Sequence, residues 1–104
     1  MSLDFALEEM QPVHIYSGNM THNVTPMWVK AGVYDALYNS EGKIAKTIIP
    51  TLKKGVDDMV EKADEYRKLD SPNRWGLYID ALPFLKEILK ACQENPDSKI
   101  WISK

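Results

Sequence analysis

The chain has 104 residues, 44% hydrophobic and 27% charged, with 13 basic against 15 acidic side chains and a formal charge of −2. That length holds one domain with one core, and the composition lies far from that of disordered chains. Basic residues are scattered, and the local group Lys43, Lys46, Lys53 and Lys54 is answered by Asp57, Asp58 and Glu61; without a basic stripe, nucleic-acid binding is not expected.

At the N-terminus, Met1, Ser2 and Leu3 read as a cloning remnant. Residues 1–12 are set apart as a leading segment, and the domain is expected to occupy 13–104. Val13-His14-Ile15-Tyr16-Ser17 has the alternating, β-branched content of a short strand, and Gly18-Asn19 reads as the turn that ends it. Thr25-Pro26 starts a helix: the threonine hydroxyl can accept a free backbone N–H, and proline at the first position has none to lose. The segment to Tyr38 is apolar nearly all round, which suits the centre of a domain. Gly32 weakens that helix and implies close packing there.

A second helix is expected over 43–69. Ala45, Ile48, Ile49, Leu52, Val56, Met59, Val60, Ala63 and Tyr66 form one apolar stripe opposite a charged face. Pro50 interrupts it, so a kink or break is expected at 47–49. Residues 70–76 are loop. Asp80 can cap a third helix that runs to Glu94, with Pro83 in its first turn; a start at Leu77 would place that proline inside. Asn95-Pro96-Asp97-Ser98 breaks the chain before a last strand, 99–103. The fold class is α+β and helix-rich, in the order β-α-α-α-β, with two short strands near the termini packed on three helices.

If direction reverses at each short connection, the two strands run parallel, and loops 18–24 and 70–77 meet at one end, with the N-termini of the first and third helices. Helix tips of this kind suit anions. The two loops carry Asn19, Thr21, His22 and Asn23, then Asn73, Arg74 and Trp75, with Tyr78 beyond. In a functional reading His22 shuttles a proton or donates to an anion, Asn23 and Asn73 orient a ligand, Arg74 clamps it and Trp75 walls it. The structural alternative weighs as much: Asn and Thr are also what turns and caps require, and a loop tryptophan can plug a core.

Other candidates carry less. The two histidines and one cysteine have no zinc-ligand spacing, so neither metal nor cofactor is expected. Cys92 falls on the buried face of a helix, where thiols are inert. Trp28, Tyr34 and Tyr38 at helical spacing read as core, and the charged face from Lys53 to Lys68 as solvated. The first ten residues carry Asp4, Glu8 and Glu9 rather than a basic-then-apolar leader, and no apolar run approaches the ~20 residues of a membrane span. A cytoplasmic chain without membrane contact is expected, and the glycosylation-like triplets at Asn19 and Asn23 are treated as coincidence.

Three stretches, Met20-Thr21-His22-Asn23-Val24, the run Ala31 to Tyr38, and Asn73-Arg74-Trp75-Gly76-Leu77-Tyr78, followed by Leu89-Lys90-Ala91-Cys92, resemble a group of small bacterial and phage- or prophage-associated proteins of unknown function. Their pattern is T-H-N, then A-G-x-Y-x-A-L, then N-x-W-G-x-Y. The resemblance implies no activity; it couples the His22 and Trp75 loops as notable features. Where the pattern leads one to expect glycine before the tryptophan, this chain has Arg74.

Three functions compete. The first is a small binding module taking a polar or anionic ligand at Asn19, Thr21, His22, Asn23, Asn73, Arg74 and Trp75. The second is a domain that forms a homodimer through an unpaired sheet edge. The third is an enzyme with His22 as general base.

Overall fold

The computed structural model describes residues 2–8, 14–74 and 76–104. It is an α+β fold, as the sequence implies, and the sheet has three strands: β1 (Ser2–Glu8), β2 (His14–Thr21) and β3 (Lys99–Ser103). Their order is β2-β1-β3, and β1 is antiparallel to both neighbours. The expectation that the leading segment stands outside the fold is therefore corrected for Ser2–Glu8; residues 1 and 9–12 lie outside the described residues. Ser2–Glu8 is the central strand, with Leu3, Phe5 and Leu7 fully buried. Burying side chains of this size contributes about 1.5–3 kcal/mol each, which is reason enough for the segment to join the sheet. The two strands read from the sequence do run in the same direction, but with β1 between them.

Leu7 pairs with Tyr16 and Ile100, and Phe5 with Gly18 and Ile102, so these positions share the face turned to the helices. The other face carries Asp4 opposite Asn19, and Ala6 between Ser17 and Trp101. Gly18-Asn19 is thus strand and not turn. A side chain at position 18 would meet the Tyr16 hydroxyl at 2.8 Å and Phe84 at 3.0 Å. The outer edge of β3 is covered: Gly42 donates to the Ile100 carbonyl and Ile100 to the Lys43 carbonyl, each at 2.9 Å.

Below the sheet the first two of the three expected helices are divided, and the third is continuous. A 3-10 turn (His22–Val24) leads into α1 (Thr25–Ala31), followed by α2 (Tyr34–Tyr38). Gly32 ends α1 in the left-handed conformation at φ 75° with nothing within 4 Å of an added Cβ, so it serves as a helix terminator rather than a packing point. The break expected around Pro50 is present: a 3-10 turn (Ala45–Thr47) precedes α3 (Ile49–Glu61), with the proline in the first turn. After Lys62 comes α4 (Ala63–Arg67), then α5 (Tyr78–Glu94). The earlier of the two readings for the last helix holds, with Pro83 inside it. Asp80 is consequently not its cap. Asp70 reaches over from the preceding loop instead, and its Oδ1 accepts from the Tyr78 N–H at 2.7 Å.

Candidate functional site

β2 delivers the chain to the 3-10 turn at His22, and the loop between α4 and α5 comes to meet it. The contact is made by Gly76, which is buried and has φ 125°. A Cβ there would lie 2.7 Å from the Asn23 Cβ and 3.2 Å from Val24 Cγ1. Only a residue without a side chain allows that approach and that backbone angle together. The loop is closed by Ser71 N–H donating to the Gly76 carbonyl at 3.1 Å and Arg74 N–H donating to the Ser71 carbonyl at 3.0 Å. The two polar segments therefore share one end of the molecule.

At this end the His22 ring is half-buried, and its Nδ1 lies 2.7 Å from the Tyr38 hydroxyl. Tyr38 is 4% exposed and stacks on Tyr34, ring centroids 4.6 Å apart. Burial pushes the Tyr38 phenol above its ordinary value, the nearby Thr25 hydroxyl partly offsets that, and Tyr34 adds to the rise. Thr25 itself does not act as the sequence suggests. It is the first residue of α1, and its hydroxyl donates to the His22 carbonyl at 2.5 Å. Among the described residues, His22 Nε2 has no hydrogen-bond partner.

The remaining expected site residues divide. Thr21 caps the turn, its hydroxyl accepting from the Asn23 N–H at 3.3 Å, and the Asn23 side chain is exposed. Asn73 accepts from the Ser71 hydroxyl at 2.5 Å. Arg74 is exposed, has φ 64°, and forms no ion pair with a described residue. Trp75 lies outside the described residues. Asn19 is a correction. It sits on β2, and its amide is committed to Ser2 Oγ at 2.8 Å and Asp4 Oδ1 at 2.7 Å, so it belongs to the sheet and not to the loop. The tip of α5, expected to be open to an anion, already holds the Asp70 carboxylate.

Tyr38 is the functional candidate that sequence reasoning passed over as core. Its signal was available in general form, since a buried phenol needs a hydrogen-bond partner. Which partner was not readable, because His22 is 16 residues away. Cys92 is buried, and burial pushes its thiol up to about 12, consistent with an inert group. No group of three or more acidic, histidine or cysteine side chains placed to hold a metal occurs among the described residues, and no helix there is long and apolar enough to cross a membrane. No family model, curated protein or solved structure matches the chain.

Proposed function

We propose that the protein is a small binding module whose ligand, a polar or anionic small molecule, is taken at the end shared by His22, Asn23, Asn73 and Arg74. One observation supports this reading: the Asn23–Gly76 contact, which gathers two segments distant in sequence at the end that carries His22. Gly76 comes two residues after Arg74, whose side chain is exposed and forms no ion pair with a described residue. Tyr38 and the stacked Tyr34 fix the ring, so it is ordered before a ligand arrives. Arg74 supplies the charge and fork geometry that acidic groups match.

Thermal-shift titration with inorganic phosphate tests the reading. The midpoint of the parent should rise with phosphate, because a ligand that binds only the folded state stabilises it. His22→Ala and Arg74→Ala should each remove most of the rise. A rise that survives both substitutions unchanged overturns the proposal.

A second reading has its own support. The outer edge of β2 makes no backbone hydrogen bond to a described residue, and His14–Thr21 contains no Asp, Glu, Lys or Arg to blunt it. Antiparallel pairing of two such edges would join two sheets across a twofold axis. Sedimentation equilibrium should then show concentration-dependent dimers that Ser17→Lys abolishes. A monomer at all concentrations ends this reading.

A further inference from the structure

The sheet face turned away from the helices carries a cleft of about 370 Å³, lined by Asp4, Ser17, Asn19 and Trp101 over Phe5 and Gly18. Trp101 pairs with Ala6 of β1, whereas Ser17 and Asn19 lie on β2, beyond that strand. To line one cleft with them the indole must reach across the central strand, and the small Ala6, fully buried, gives it room. The Asp4–Asn19 pair decides what this cleft can bond. A carboxylate only accepts, so the Asn19 amide nitrogen faces Asp4 Oδ1, at 2.7 Å. Its second N–H goes to Ser2 Oγ at 2.8 Å. Both donors of Asn19 are thus spent, and its Oδ1 is left to accept. Asp4 keeps Oδ2 as a further acceptor and forms no ion pair with a described residue.

We propose that this face holds the guanidinium group of a small molecule, stacked on the Trp101 indole with its N–H edge toward Asp4 and Asn19. The cleft offers a negative charge and two acceptors on one side and an aromatic plane on the other. A guanidinium is the complement at each point: it is positive, carries only donors, holds them in a plane and stacks on aromatic faces. An alkylammonium has the charge without the plane, and a urea has the plane without the charge. The exposed Ser17 hydroxyl can accept a further N–H. The site shares no residue with the anion site proposed at His22 and takes the opposite charge, so the two stand or fall separately.

Three probes of matched length, N-butylguanidinium, butylammonium and N-butylurea, separate charge from shape. Each is titrated into the protein by NMR at low ionic strength, where an exposed charge pair is least screened. The guanidinium should give saturable shifts centred on the amides of Asp4, Ser17 and Asn19 and on the Trp101 indole N–H. It should bind at least about 10-fold more tightly than the urea, the factor expected from one hydrogen bond to a charged group. It should also bind more tightly than the ammonium. Asp4→Asn keeps the shape and an acceptor for Asn19, and should bring the guanidinium down to the level of the urea. Absence of saturable shifts, equal or tighter binding of either other probe, or binding unchanged in Asp4→Asn overturns the proposal. The parent's ranking of the three probes decides the matter even if the variant fails to fold.

Discussion

The Tyr66 hydroxyl donates to Asp58 Oδ2, and Lys62 lies 3.2 Å from the other oxygen of that carboxylate. The phenol bond, more than Lys62, holds Asp58 below the usual carboxylate range, and burial with Asp58 beside it raises the Tyr66 phenol. A carboxylate lowered in the folded state stabilises above its unfolded value, about 3.9, and that stability is lost as pH falls through the lower folded value. Tyr66→Phe should move the Asp58 midpoint up toward 3.9 in an NMR pH titration and flatten the acid limb of the stability curve. An unmoved midpoint would assign the shift to Lys62. Arg74 is the only non-glycine residue with positive φ among those described. Left-handed backbone costs an ordinary residue roughly 1–2 kcal/mol, while glycine loses part of that difference to its freer unfolded state. Arg74→Gly should therefore raise the unfolding free energy by about 0.5–1 kcal/mol in urea while weakening phosphate binding. The turn is thus made by arginine in the left-handed region, at the expense of strain.

At the scale of elements, the sheet was half-legible. Leu3-Asp4-Phe5-Ala6-Leu7-Glu8 alternates in the period of a strand, and only its place at the chain end kept it out of the expected fold. The helix breaks were legible where a residue enforces them, at Pro50, and obscure at Lys62, where no sequence signal marks the division of α3 from α4. Close helix approach, anticipated at Gly32, occurs at Gly55. An added Cβ there would stand 2.3 Å from Val33 Cγ1 and 3.3 Å from the Ala31 carbonyl oxygen. A pattern of apolar positions shows which face is buried, but not which neighbour crosses it. Gly55→Ala should destabilise by about 1–3 kcal/mol despite alanine's better helix propensity. Val33→Ala in the same chain should recover much of that loss, a coupling readable from a double-mutant cycle. The cap on α5 makes a simpler case: Asp70→Ala leaves the Tyr78 N–H without its partner and should cost about 0.5–2 kcal/mol in denaturant unfolding.

For the whole molecule, reversal of direction at each connection correctly implied that the last strand runs with the strand before His22 and that the two polar loops meet. The sequence could not show what fills the meeting point. Asn19 reads as a loop residue because Gly18 precedes it, yet the ladder with β1 carries it onto the outer sheet face, and the Tyr38 partner of His22 arrives from a separate helix. The proposed site thus depends on tertiary placement of ordinary residues rather than on a motif. The measurement that bears most directly on it is a backbone amide NMR titration of the folded chain with inorganic phosphate. Saturable shifts should be largest at His22, Asn23, Asn73 and Arg74. Largest shifts along the groove of Lys30, Lys54 and Lys62, or no saturable change at all, would contradict the assignment.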